Sequence, residues 1–338
     1  SRGVSVSGCA RTDGKRDASL SSQTPVFVGF ELCPRFIYFT QMTEKFTISI
    51  IGVGRLGGAL AIALDRKKIT IENLFARNHV TAVKVAKIIE SNPQVKSADD
   101  FSGLTSDVIL ITTQDSEIEN VADRLLKTLK TAPQIFHTSG ALSSKILNKL
   151  KTNGCRVGSI HPLISISDAV LGADKFADAY FCVEGDDEAI ITAKKIVGEL
   201  GGKPFSVAGE YKTLYHASAV TACGHLVALI DAAIEMLNGC GLNESEARKV
   251  LLPLIKSTVE NLAGQTTAEA LTGTFARADI ETFSRHLSVL RDNVSPETLE
   301  IYLQLGARSL NLAEARGANK GNLEKIRGQI LLAKKNLK

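Results

Sequence analysis

Phe46-Thr-Ile-Ser-Ile-Ile-Gly-Val-Gly-Arg-Leu-Gly-Gly-Ala-Leu60 is the stretch whose reading decides the fold. A β-branched apolar run (Ile48, Ile50, Ile51) meets Gly52, Gly54 and Gly57, and Ala59-Leu-Ala-Ile-Ala-Leu64 then continues as an apolar helix. The order is strand, tight turn, helix, with G-x-G-x-x-G on the turn. Gly52 can adopt the turn conformation. Gly54, lacking a side chain, lets the backbone close on a pyrophosphate, and Gly57 lets helix and strand pack closely. The helix start, with Arg55 and Leu56, adds unpaired N–H groups and a positive dipole end for the phosphates. The competing reading is a strand–helix turn that binds nothing. The strand and helix fall where a dinucleotide site needs them, so that site is the expectation.

Working outward, 338 residues suggest about two domains, and 44% hydrophobic with 22% charged residues is ordinary globular composition. The net charge of +4 is small, and no basic run interleaved with aromatics occurs, so nucleic acid is not an expected partner. The cysteines (Cys9, Cys33, Cys155, Cys182, Cys223, Cys240) are scattered without a C-x-x-C pair. They read as reduced thiols of a cytoplasmic protein, with neither a disulfide frame nor a metal site. The uncharged run Thr213–Ile230 raises a membrane question. His216, Ser218, Thr221, Gly224 and His225 interrupt it, and the expectation is a buried helix of a soluble protein with no membrane partner.

Residues 1–44 differ in character from the rest of the chain. They lack an initial methionine, are rich in Ser, Gly and Arg, and contain Met42, which reads as the natural start. This segment is expected to be a non-native or disordered extension; a transit peptide is the alternative, opposed by Asp13 and Asp17. Residues 45–208 alternate strand and helix. Strands are expected at 72–77, 107–113, 134–137, 156–160, 179–183 and 203–207, with helices at 80–91, 117–129, 143–151 and 187–200 between them. From 209 to 338 only helices are expected, at 211–238, 244–263, 279–291, 296–316 and 323–335. The fold class is α/β: an N-terminal doubly wound Rossmann domain followed by an all-α C-terminal domain.

An acidic residue about twenty positions after the glycines would hold the ribose hydroxyls of NAD. None occurs between Asn73 and Ile89, and Arg77-Asn78-His79 stands there instead. Arginine suits a 2′-phosphate, so NADP is expected over NAD, with Arg77 and Asn78 beside it; a solvent-facing loop arginine is the bland alternative. The carboxyl ends of the other strands give Thr112, Thr113 and Gln114 for the cofactor, then Ser139, then His161. Ser139 either bonds a nicotinamide amide or substrate oxygen, or only supports a turn. His161 is either a proton donor or a structural histidine. On the first C-terminal helix Lys212, His216, Ala219 and Cys223 share a face, where Lys212 or His216 could protonate a reacting oxygen or nitrogen. The alternative is a solvated lysine and a core histidine. Arg277, in the polar link Leu271-Thr-Gly-Thr-Phe-Ala-Arg277, is a candidate for an anionic substrate group or a plain surface residue.

These pieces together resemble the Rossmann-like proteins that carry a DUF2520 C-terminal domain, relatives of the 6-phosphogluconate dehydrogenase, 3-hydroxyisobutyrate dehydrogenase and pyrroline-5-carboxylate reductase superfamily. The resemblance covers about 45–335. It rests on Gly52-Val-Gly-Arg-Leu-Gly57, His137-Thr-Ser-Gly-Ala-Leu-Ser143, His161-Pro-Leu163, Leu214-Tyr-His-Ala217, and Leu271-Thr-Gly273 with Arg277, Asp279 and His286-Leu287. It implies an NADP-dependent oxidoreductase acting on a carbonyl or imine of a small anionic metabolite, and a homodimer formed through the helical domain. In the hydroxyacid dehydrogenases a lysine early in the interdomain helix is followed four residues later by asparagine. Lys212 and His216 are similar to that pair, with histidine replacing asparagine. The family's usual Ser-Asn near Cys223-Gly224, proline at Thr274 and glycine at Ala278 are also absent. A non-catalytic NADP(H)-binding sensor or regulatory protein is the second expectation.

Overall fold

A computed structural model describes residues 46–337, and the expectation for 1–44 lies outside them. Among the described residues the chain builds an eight-stranded sheet in the order β3-β2-β1-β4-β5-β6-β7-β8. The strands are β1 (Thr47–Ile51), β2 (Thr70–Ala76), β3 (Gln94–Ser97), β4 (Val108–Ile111), β5 (Gln134–His137), β6 (Arg156–Pro162), β7 (Tyr180–Gly185) and β8 (Lys203–Phe205). All neighbours pair in parallel except β6 and β7, which run antiparallel with His161 opposite Cys182.

Successive β1 residues explain the two layers. Ile48 and Ile50 face one way, into a core with Leu60 and Leu64 of helix α1 (Arg55–Arg66), Val85 of α2 (His79–Ala86) and nearby aromatics Phe176 and Phe181. Ile51 and, from β4, Ile109 and Ile111 face the other way, onto Ile118, Val121 and Leu125 of α3 (Asp115–Thr128) and onto Leu147 and Leu150. Burying each of these side chains contributes about 1.5–3 kcal/mol. The short α4 (Ala169–Gly172) packs on α1, and α5 (Asp187–Glu199) adds Ala193, Ile196 and Val197 to the first core. This is the expected doubly wound sheet. Because β1 lies between β2 and β4, the strand order reverses there, and a crevice opens beyond the carboxyl ends of β1 and β4.

The remainder is helical: α6 (Lys212–Asn238), α7 (Glu244–Gly264), the single turns α8 (Thr267–Ala270) and α9 (Gly273–Ala276), α10 (Ile280–Asn293), α11 (Pro296–Ala315) and α12 (Lys320–Lys335). A third core, with Phe283, Leu303, Leu310, Leu323 and Ile326, joins α10 to α12. Sheet and helices from Lys45 onward gather into one compact unit.

One expectation fails. The apolar run of α6 is a helix but is not buried in the chain: Leu226, Val227 and Leu229 are exposed, and 11% of its most apolar stretch is covered. The α10–α12 core takes in only the far end of α6, through Met236. By length and composition alone, Gly209–Asn238 could cross a membrane. Its first residue, Lys212, is nevertheless wholly buried against the sheet.

Candidate functional site

The glycine turn is built as its sequence requires. Gly52 holds φ +105°, and a side chain there would lie 2.8 Å from Thr113 N. A side chain at Gly57 would press on Gly52 O and on Thr112 Oγ1, whereas one at Gly54 would meet nothing within 4 Å. The Thr112 hydroxyl donates to Gly52 O at 2.7 Å and so ties the turn to β4. Thr113 Oγ1 is buried there with no hydrogen-bond partner among the described residues. Helix α1 starts at exposed Arg55, next to Leu56, with no side chain capping it. Open space over Gly54, uncapped N–H groups and an orphaned hydroxyl fit the phosphates and ribose of a dinucleotide.

At the end of β2, Arg77 is exposed and has no ion pair among the described residues. Asn78 is accounted for otherwise: its Oδ1 accepts from Thr81 N at 3.3 Å and caps α2. Gln114 is exposed at the start of α3.

A second cluster forms where β5 and β6 end and α6 begins. Lys212 is wholly buried, and its Nζ donates to Ser139 O at 3.1 Å and to Ser159 Oγ at 2.8 Å. Burial pushes its ammonium below the ordinary lysine range. The Ser139 hydroxyl donates to Asp115 Oδ2 at 2.8 Å and accepts from Ala141 N and Leu142 N. It therefore builds the turn. His161 Nδ1 lies 2.7 Å from the Tyr215 hydroxyl, and its ring meets His216 edge-on at 5.8 Å between centroids. Gly140 sits against both: a side chain there would be 2.8 Å from His161 Nε2 and 2.5 Å from His216 Cδ2. Burial, followed by the charge of Lys212, lowers His161 to about 4. The same causes lower His137, whose Nε2 is buried without a partner, to about 4. Both rings are neutral at pH 7.

Ser139 and His161, read from the strand ends, thus meet Lys212 and His216, read from the face of the first C-terminal helix. Ala219 and Cys223 are on the part of α6 that leaves the sheet, and Cys223 is exposed. Arg277 is elsewhere: with Thr272, Gly273 and Arg316 it lines a cavity of about 380 Å³ that shares no residue with the His161 cluster. Tyr215 and Asp115 were not among the expected residues. The signal for Tyr215 was its place three residues after Lys212, nearly one helical turn on. Nothing in the sequence pairs Asp115 with Ser139 before β4 and β5 are placed side by side. The described residues hold no group of three or more His, Cys, Asp or Glu arranged for a metal ion.

Two family models match the chain: a Rossmann-like domain over residues 40–162 and the domain of unknown function DUF2520 over 179–309. No curated protein matches it. Among solved structures, a candidate NADP oxidoreductase from Bacteroides fragilis is similar with a TM-score of 0.66 and 21% identity, covering 79% of this chain and 98% of that one. A protein from Thermotoga maritima is similar with a TM-score of 0.62 and 24% identity, covering 80% and 99%. A pyrroline carboxylate reductase from Plasmodium falciparum, solved with NADP bound, gives a TM-score of 0.52 and 15% identity, covering 84% and 98%. At these identities the likeness is one of fold.

Proposed function

Because the chain belongs to the proteins that join a Rossmann-like domain to a DUF2520 domain, we propose that it is an NADP-dependent oxidoreductase. It would act on a carbonyl or imine of a small anionic metabolite, between the glycine turn and the start of α6. The observation that carries this reading is the cradle at Gly52–Gly57, with open space over Gly54 and an unpartnered Thr113 hydroxyl, beside a cluster of neutral histidines at the next strand ends. Similar folds described as binding NADP support it. When bound, the nicotinamide supplies the hydride, and the protein contributes position and a proton. Arg77 would hold the 2′-phosphate, and Thr112 and Thr113 would line the cofactor at the end of β4. Lys212 holds Ser139 and Ser159 in place from within, and His161 and His216 face the substrate. Arg277 lies apart from that cluster, in the cavity it lines with Arg316, and is not assigned to the reacting metabolite.

We also propose that the protein is a cytoplasmic homodimer. The exposed apolar side chains of α6 and of α7 (Val250, Leu254, Val259) form a surface for a second copy. The second reading, an NADP(H)-binding sensor without catalysis, draws on Lys212, whose ammonium is sealed between Ser139 and Ser159. NADPH oxidation against 2-keto acids, 3-keto acids and cyclic imines decides between them. Turnover of any member supports the enzyme, while tight NADPH binding with no turnover across the panel supports the sensor.

A further inference from the structure

We propose that Tyr215 and His161 form a donor pair in which the Tyr215 hydroxyl fixes the His161 ring with its hydrogen on Nε2, directed at the carbonyl oxygen of a substrate bound beside Gly140. This deepens the oxidoreductase reading and rests on it.

The first argument is hydrogen-bond accounting. The phenol has one hydrogen, and burial raises its pKa, so it keeps that hydrogen at neutral pH. Its side-chain hydroxyl makes a hydrogen bond, among the described residues, to His161 Nδ1 at 2.7 Å. A hydrogen on Nδ1 would make the phenol an acceptor and leave its own hydrogen without a partner in a half-buried site, at a cost of about 1–3 kcal/mol. A bare Nδ1 accepts it, and the neutral ring then carries its hydrogen on Nε2. That nitrogen makes no hydrogen bond among the described residues and points to the Gly140 backbone.

The second argument is steric. Tyr215 is wedged between Phe205 of β8, at 5.7 Å, and His161 of β6, at 5.5 Å, both edge to face. The ring is held from two strands, so the hydroxyl is positioned rather than swinging.

The third argument is charge. Lys212 from α6 is the cation that acts on His161, His137 from β5 is neutral, and Asp115 and Glu184 are the carboxylates that act on Lys212. Lys212 forms no salt bridge among the described residues. A carbonyl oxygen gaining negative charge would be stabilised by the Lys212 ammonium. The pair therefore suits an aldehyde or ketone. A bound dihydronicotinamide would supply the hydride that becomes the new C–H bond at the carbonyl carbon, and the His161 Nε2–H bond would break as the substrate O–H bond forms. The Tyr215 O–H bond breaks as Nδ1–H forms, leaving a phenolate whose ring lies 5.9 Å from the Lys212 ammonium. Water later returns a proton to the phenolate.

The test uses the full chain labelled with ¹⁵N-histidine, read by long-range ¹H–¹⁵N NMR from pH 5 to 8. The His161 signals are identified by their loss in His161→Gln. The expected result is a protonated Nε2 and a bare Nδ1 across the range. Tyr215→Phe, which keeps the ring wedged, should mix the tautomers and raise the midpoint of His161. A hydrogen on Nδ1 in the unaltered chain, or an unchanged tautomer in Tyr215→Phe, overturns the pair. With a ketone from the panel, Tyr215→Phe should lower kcat at least ~10-fold and His161→Gln ~10²-fold, with NADPH affinity within twofold. Unchanged kcat in Tyr215→Phe also overturns it. If no compound oxidises NADPH, the oxidoreductase reading fails on that ground, and the tautomer measurement still decides the pair.

Discussion

Ala278 holds φ +50° with its side chain wholly buried, a conformation that costs an L-residue about 1 kcal/mol and glycine almost nothing. The family resemblance implies glycine at this position, and the left-handed backbone gives a physical reason for it. The relief is opposed by the lost buried methyl and the freer unfolded chain, so Ala278→Gly should change stability by less than about 1 kcal/mol in urea unfolding, and a larger loss or gain would refute this balance. At Arg77 the expected effect is on binding. Removing a charge-assisted contact to a 2′-phosphate should raise the Kd of NADPH tenfold or more and leave NADH unchanged, as fluorescence titration would show. Equal losses for both nucleotides would remove Arg77 from the phosphate. Single residues were legible in the sequence where backbone geometry dictates type. Gly52 and Gly57 are glycines because their surroundings leave no room for a side chain. Ser139 was legible only as an alternative between ligand and turn support, and Asp115 beside it shows the hydroxyl to be committed to the turn.

Glu235, near the end of α6, reaches the start of α11. Its carboxylate accepts from Ser295 N at 2.6 Å, from Ser295 Oγ at 3.1 Å and from the Thr298 hydroxyl. The Thr298 hydroxyl first, then the Ser295 N–H, hold it below the ordinary glutamate range. Its stabilisation is therefore present above the unfolded pKa and lost as pH falls through the lower folded one. Glu235→Gln should cost about 1 kcal/mol by urea unfolding at pH 7, with the gap closing in acid. A gap that stays constant with pH would show that the charge is not what matters. Strong periodicity made most elements readable in advance, and the departures have local causes. Helix expected over 80–91 stops at Ala86, because buried Asp65 takes the N–H groups of Glu90 and Ser91 and draws the chain away. The helix expected over 143–151 is a tighter 3₁₀ winding, Ser144–Asn153, whose first N–H is held by Glu184 from β7. Strand β3 went unread because Gln94-Val-Lys-Ser97 is an edge segment with no apolar face.

For the molecule as a whole, two histidines set its response to acid. His137 and His161 protonate near 6.5 when unfolded and near 4 in the fold, so the unfolded chain binds more protons between those values. Stability should be full above about pH 6.5 and fall as pH drops toward 4, by on the order of 3 kcal/mol for His137 alone. Urea midpoints at pH 7.5 and 5 check this; equal midpoints would refute it. The two-layer sheet and the helical half were legible from alternation and its sudden end after β8. The reversed β7 was not, since strand direction leaves no trace in composition. Nor was the exposure of α6, because an apolar helix reads the same whether its own chain or another covers it. A homodimer formed through that bare face, as proposed above, would tie folding to mass action. A second copy seated on Leu226 and Val227 would share its binding energy with the fold, so each tenfold dilution at concentrations well above the dissociation constant would remove about 1.4 kcal/mol per dimer. The Tm should climb with protein concentration, and Val227→Glu should abolish that dependence while producing monomers in sedimentation. The chain would then be sturdy when abundant and fragile when scarce.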